Sequence, residues 1–193
     1  VETKGGLVSI ALHLDRHGDA AAATVEMGRA TFQPSALPCT LTVDELIQQP
    51  IEAAGRSLQF TGVSVGNPHC VIFKQPGEAW TREDLLTLGP ALENHSLFPK
   101  RTNVQLAVPT GPKDIFILIW ERGAGETQAS GSSSCAAASA AVRLGLVKGP
   151  VTVKMPGGTL NIEVAQDFSL TMKGPVAEVA RGALSPSFVR TLR

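Results

Sequence analysis

The chain has 193 residues, 43% of them hydrophobic and 18% charged, with 17 basic against 17 acidic side chains and a formal net charge of +0. This composition excludes disordered, collagen-like and coiled-coil chains, and it offers no basic field to hold a polyanion, so nucleic acid is not an expected partner. No stretch approaches the roughly 18 consecutive apolar residues of a membrane-spanning helix, so no membrane partner is expected either.

Cys39, Cys70 and Cys135 are an odd number of cysteines with no CxxC pair, in a chain too long to need disulfide staples. Reduced thiols and a cytoplasmic location are expected. The sequence opens on Val1 without a charged-then-apolar leader, so it reads as a cut N-terminus with no signal peptide.

In chain order, residues 7–14 and 23–27 partly alternate about a turn at His17-Gly18-Asp19, which predicts a hairpin. Residues 32–38 carry Pro34 and Pro38, which deny backbone donors, and read as an irregular run that could cross between domains. A strand over 58–65 ends in Gly66-Asn67-Pro68-His69 and resumes at Cys70, so the tetrapeptide is a turn or bulge between strand segments. Thr81, with Asp84 three residues on and Leu85, Leu86 and Leu88 behind it, predicts a capped short helix that stops near Gly89-Pro90. Strands follow over 102–108 and 115–120, and the second is continuously apolar, as in a strand buried on both faces.

Residues 131–145 place small side chains almost all round a helical wheel, with Gly145 as the C-terminal cap. A helix without a wide polar face is an enclosed one. Strands over 151–155, 160–164 and 170–173 complete the chain, and no repeat or low-complexity tail appears. The predicted fold is α+β, mixed strands wrapped around a central buried helix.

Two segments could carry chemistry. Glu121-Arg122 runs into Gly123-Ala124-Gly125, and Ser130-Gly131-Ser132 then opens the small-residue helix; such a helix start offers free amides to a carboxylate or phosphate. The segment is neither a P-loop nor a dinucleotide fingerprint, and Ser130 reads equally well as a plain N-cap. In Gly66-Asn67-Pro68-His69, Asn67 and His69 could meet a polar ligand, and an imidazole titrates near neutrality; an ordinary turn with a satisfied His is the alternative. Cys70 and Cys135 read as inert core thiols. The four histidines, His13, His17, His69 and His95, are scattered without ligand spacing, so no metal is expected. From the residues alone, the chain supports a pocket for a small anionic ligand and names no reaction.

Gly66-Asn67-Pro68-His69-Cys70-Val71-Ile72, Thr102-Asn103-Val104, residues 121–129 (ERGAGETQA) and Pro156-Gly157-Gly158, in this order and spacing, closely resemble the C-terminal half of the diaminopimelate epimerases. The resemblance covers essentially the whole chain. It implies a diaminopimelate epimerase-like fold of two related halves facing each other across a cleft, each half supplying one cysteine, with no pyridoxal phosphate or other cofactor. One thiolate takes the α-proton of an amino acid and the other thiol returns one to the opposite face. Carried onto this sequence, the resemblance makes Asn67, Asn103, Arg122, Gly131 and Ser132 substrate-binding, with Arg122 on the distal carboxylate and the amides of Gly131 and Ser132 on the α-carboxylate. His69 and Glu121 would set the protonation of the catalytic pair.

Two departures stand beside the matches. Ser130 occupies the catalytic cysteine position, and Ser133-Ser134 replaces the family's Gly-Ala pair. A serine hydroxyl is a far weaker acid than a thiol of pKa about 8.5, so it cannot rest as an anionic base near neutrality. The half carrying the other cysteine is almost absent, and neither Cys39 nor Cys135 is placed to replace it. The resemblance divides the chain into residues 1–27, remnant strands of the N-terminal half, residues 28–178, the epimerase-like domain, and residues 179–193, a segment returning to the N-terminal half. It implies a small amino-acid substrate, the missing half of the same protein as partner, and a possible homodimer through exposed apolar surface. Four accounts of Ser130 follow: a piece of a longer enzyme, an introduced Cys-to-Ser change, a one-base racemase or hydroxyproline dehydratase-like relative, and a silent ligand-binding homologue. The neighbouring serines favour a natural variant.

Overall fold

A computed structural model describes residues 2–3, 6–180 and 182–192; Val1, where the sequence suggests a cut end, lies outside them. The chain forms β1 (Glu2–Thr3), β2 (Gly6–Leu7), β3 (Ile10–Leu14), β4 (Ala20–Arg29), β5 (Gln49–Ala53), β6 (Arg56–Ser64), β7 (Pro68–Phe73) and α1 (Arg82–Glu93). Then come β8 (Asn103–Gly111), β9 (Asp114–Glu121), β10 (Gly125–Thr127), α2 (Gly131–Arg143), β11 (Val151–Met155), β12 (Gly158–Val164), β13 (Ser169–Pro175) and α3 (Pro186–Thr191). Among the described residues β1 and β2 pair only with each other. The main sheet runs β3-β4-β13-β12-β11-β9-β8-β7-β6-β5, with β10 folded back on β9. Within it β7–β8 and β9–β11 are parallel, and a bridge between Thr31 and Ser64 draws its two wings together around α2.

Period-two alternation decides what each face of the sheet does. Val71, Ala107, Ile115, Ile117, Ile119, Val151, Val153 and Ile162 face α2. Cys70, Ile72, Val104, Leu106 and Leu118 face α1, where they meet Leu85, Leu88 and Leu92. The small side chains of α2 let strands approach from all sides, and residues 133–141 are all buried. The expected enclosed helix is therefore present, with Ser130 as its N-cap and Gly145 in the left-handed region just past its end (φ +69°).

Several boundaries differ from the sequence reading. α1 does not stop at Gly89-Pro90 but runs on to Glu93. Pro90 removes a single internal bond, the one to the Leu86 carbonyl, and Leu86 lies on the exposed side. Asn94 then closes the helix by returning its Nδ2 to the Pro90 carbonyl at 2.9 Å. Gly89 lets the helix lie against Trp120, since a Cβ there would sit 2.6 Å from the indole. In the proline run, Pro34–Ala36 forms one turn of 3₁₀ helix, a start that proline's fixed φ favours. β5 was not anticipated; its signal was Ala54-Gly55, both at positive φ, turning it into β6. Nor was α3, although Ser185-Pro186 is a cap followed by proline. β4 runs without a break across residues 27 and 28. Among the described residues no helix is long and apolar enough to cross a membrane.

Candidate functional site

Alternation also delivers the site. His69, Asn103 and Glu121 share strand parity with Val71, Ala107 and Ile119, so all three side chains stand on the α2 face near the start of that helix. The parallel register sets His69 directly beside Asn103.

Ser130 caps α2. Its Oγ accepts the Ser133 amide at 3.5 Å and donates to Glu121 Oε1 at 2.8 Å. The Ser134 amide takes the Ser130 carbonyl at 3.1 Å. Intrahelical geometry gives the amides of Gly131 and Ser132 no carbonyl to reach, so they point out of the helix end. That end opens on a cleft of about 280 Å³ lined by Ala129, Ser130, Gly131, Met155, Gly157 and Leu160. The wall is set by Gly157, whose amide donates to the Gln128 carbonyl at 2.7 Å and whose Cβ, were there one, would lie 2.8 Å from that same oxygen. Larger hollows of about 590 and 600 Å³, beside Cys39 and between Pro76 and Leu146, hold none of these residues.

The Glu121–Ala124 turn carries the charged pair. Gly123 and Gly125 both sit at positive φ (+79° and +80°), a conformation that glycine adopts without steric penalty. The Ala124 amide bonds the Glu121 carbonyl at 3.0 Å, and the Arg122 amide bonds Asn103 Oδ1 at 2.9 Å. Asn103 Nδ2 donates to the Pro68 carbonyl at 2.8 Å. The exposed Arg122 guanidinium also touches the Lys100 carbonyl at 3.2 Å.

His69 departs from the sequence expectation. It does not project from the turn; it lies in β7, fully buried, with Nε2 3.0 Å from Asn67 Oδ1. Desolvation pushes its pKa down from 6.5 to about 3, opposed in part by a hydrogen bond with the Gln105 side chain and aided to a smaller extent by the nearby Arg122 charge. The imidazole is therefore neutral near pH 7 and cannot supply the near-neutral titration expected of it. Asn67 is half-buried at the rim of the turn.

Beneath the helix start runs a set of polar side chains that the sequence reading passed over. Gln105 Nε2 donates to Ser133 Oγ at 3.0 Å, and Ser134 Oγ donates to the Ser130 carbonyl at 2.8 Å. Ser133 and Ser134 thus both have hydrogen-bond partners, which is the condition for burying a hydroxyl. The signal was available: Asn103 and Gln105 alternate with Val104 and Leu106, which puts amides on a strand face otherwise packed on alanines. Burial raises the thiols of Cys70 and of Cys135, the latter to about 12, in line with inert core cysteines.

With this geometry in place, comparison with known proteins is informative. Residues 61–179 match the family described as diaminopimelate epimerase. A diaminopimelate epimerase of Desulfitobacterium hafniense is 38% identical over 185 residues, 95% of this chain and 64% of that protein. Diaminopimelate epimerase 2 of a Nostoc species is 41% identical over 186 residues, 96% of this chain and 62% of that protein. The chain thus spans somewhat less than two thirds of the relatives it matches. Among solved structures, a hydroxyproline epimerase from Agrobacterium vitis with bound trans-4-hydroxy-L-proline superposes with a TM-score of 0.63 at 15% identity, over 92% of this chain and 56% of that one. A PhzF-family phenazine biosynthesis protein of Bacillus anthracis gives 0.51 at 13%, over 88% and 62%. Both likenesses speak to the fold.

Proposed function

The chain belongs to the diaminopimelate epimerase family, and from that premise we propose that its parent protein acts without a cofactor at the α-carbon of a small amino acid, LL-diaminopimelate giving the meso form. The supporting observation is that Ser130 and Gly131, at the start of α2, line one cleft while Ser130 Oγ is hydrogen-bonded to Glu121 at 2.8 Å. In this reading Gly131 and Ser132 hold the α-carboxylate by their amides, where the helix dipole also favours negative charge developing in the transition state. Arg122 meets the distal carboxylate, a pairing suited to a guanidinium. Asn67 and Asn103 complete the binding wall, with neutral His69 orienting Asn67.

The same geometry sets the limit on catalysis. Ser130 Oγ gives its proton to Glu121 as a hydrogen bond, and a hydroxyl in that position has no accessible anion near pH 7. Two-base inversion is accordingly impaired in this protein. An epimerase-like domain of 28–178 lies between residues 1–27, to which β4 joins it without a break, and residues 179–193; the N-terminal half of the parent protein is the partner that supplies the other acid–base group and closes the substrate pocket. Ile10, Leu12 and Leu14, all exposed on β3, are apolar surface of the kind such a partner, or a second copy in a homodimer, would cover. A reducing cytoplasmic setting suits three free thiols.

Deuterium wash-in at the α-carbon of diaminopimelate, with the complete gene product and its Ser130→Cys variant, tests the reading. Ser130→Cys is expected to raise inversion by about 10² to 10⁴, the worth of general acid–base catalysis. Equal rates in the two proteins would overturn the assignment of Ser130 as the impaired position. The Ser130–Glu121 bond favours one second reading, a one-base or silent homologue; exchange without inversion in the Ser form, or binding without any exchange, would mark it.

A further inference from the structure

Glu93 closes α1 on the opposite side of the sheet from α2, and among the described residues it is the only buried carboxylate, its side chain 7% exposed. Both of its oxygens serve only as acceptors. Oε2 takes the Trp120 indole N–H at 2.7 Å, while Oε1 takes the Gly123 amide at 2.8 Å and Arg101 Nη1 at 3.1 Å. Removing a carboxylate from water is unfavourable unless donors meet it, and here three do.

These donors lead to the site. Gly123 follows Arg122, so successive amides of the turn are held from different directions: Arg122 by Asn103 on the α2 side, Gly123 by Glu93 on the α1 side, and Ala124 by the Glu121 carbonyl. Arg101, which shares the Glu93 oxygen with Gly123, sits in the left-handed region at φ +60°, a conformation that non-glycine residues keep only when their surroundings hold them there. Its guanidinium lies over the Gly123 Cα, 3.8 Å from where a Cβ would stand.

We propose that Glu93 is a positioning residue: by fixing Gly123 and Arg101 it sets the direction in which Arg122 leaves the turn, and so tunes the site's selectivity for a ligand with a second carboxylate. The inference rests on the reading of Arg122 as the distal-carboxylate group. Loss of the Glu93 carboxylate frees the peptide after Arg122, so the guanidinium keeps its charge and loses its fixed approach.

The test uses the complete gene product and two variants. Glu93→Gln keeps the shape but offers one oxygen where three donors converge, and Glu93→Asp keeps the charge but falls a methylene short. Affinity is measured by calorimetry for meso-diaminopimelate and for lysine, which has the same chain without the distal carboxylate. In wild type, diaminopimelate binds more tightly; in Glu93→Gln that preference shrinks about tenfold while lysine affinity stays within about twofold, the scale of one charge-assisted contact. The Gly123 amide and Trp120 indole proton resonances move upfield in the same variant, which reports that the bonds have broken. Equal weakening of both ligands, or an intact preference with those resonances moved, overturns the proposal. If Glu93→Gln does not fold, Glu93→Asp carries the same comparison. If wild type binds neither ligand, the diaminopimelate reading fails separately. Glu93 is then judged on the Arg122 backbone amide resonance, which its bond to Asn103 Oδ1 holds in the wild type: a move upfield in the variant supports positioning, and no change refutes it.

Discussion

Asn103 joins Arg122 to the strand beside it: its Oδ1 accepts the Arg122 amide at 2.9 Å while its Nδ2 donates to the Pro68 carbonyl at 2.8 Å. One buried carboxamide thus couples the Asn67-Pro68-His69 turn to the charged turn. Asn103→Asp keeps the acceptor but sets a carboxylate oxygen against the Pro68 carbonyl. Asn103→Leu leaves both backbone groups unpaired. Each is expected to destabilise the fold by about 1–3 kcal/mol, the penalty for buried unpaired polar groups, read as a fall in the urea midpoint with an unchanged m value.

Much of this was legible in the sequence, for identifiable reasons. The α2 helix announced itself through small side chains, and β9 through its unbroken apolar run. The 66–69 turn, the Glu121-Arg122 turn and the Ser130 cap were all visible because glycine, proline and capping residues act locally. What was not legible depends on partners distant in sequence. That His69 lies buried rather than on the rim follows from its strand parity with Val71, fixed only once β7 pairs with β8. That α1 runs past Pro90 follows from the exposure of Leu86 and the return of Asn94. Glu93, which lies beyond the expected end of the helix, carried no signal in the sequence, since its three donors come from residues 101, 120 and 123.

Gly89 tests the contact that seats α1. A methyl group there would lie 2.6–2.8 Å from three atoms of the Trp120 indole, which cannot withdraw without releasing its 2.7 Å bond to Glu93. Gly89→Ala gains helix propensity worth up to about 1 kcal/mol and suffers overpacking of about 1–3 kcal/mol. Net destabilisation is expected, together with a changed Trp120 indole resonance. A stabilised Gly89→Ala protein would show that the helix can shift outward at no penalty.

The α1 N-terminus carries a capping box, Thr81 Oγ1 accepting the Asp84 amide and Asp84 Oδ2 accepting the Thr81 amide, each at 3.0 Å. Thr81→Ala is expected to lower stability by about 0.5–2 kcal/mol. The Thr81 amide, with Arg56, the Thr81 hydroxyl and Lys74 adding to it, holds the Asp84 pKa at about 2, below its ordinary 3.8. A depressed carboxyl contributes stability above its unfolded pKa and loses it as pH falls toward the folded one. Asp84→Asn is thus expected to weaken the protein at pH 7 and to make little difference below about pH 2, as measured by thermal melts across that range.

His69 gives the opposite end of the acid limb. Its folded pKa is about 3 against 6.5 for an exposed imidazole, so between those values the unfolded chain binds a proton that the folded one refuses. Stability therefore falls as pH drops from about 6.5 toward 3, with a slope of at most about 1.4 kcal/mol per pH unit from this residue. The window between pH 4.5 and 6 separates it from Asp84, whose loss comes lower. His69→Gln removes the titrating ring, and its stability should run flatter than wild type by one proton across that window, whatever its absolute value. A parallel slope would place a charged imidazole in the core, where the side chains that meet the ring are the neutral carboxamides of Asn67 and Gln105. The same neutrality governs ligand binding: affinity for a carboxylate ligand should show no inflection from His69 between pH 5 and 8, because the imidazole holds Asn67 in place as an uncharged ring and contributes no charge to the cleft.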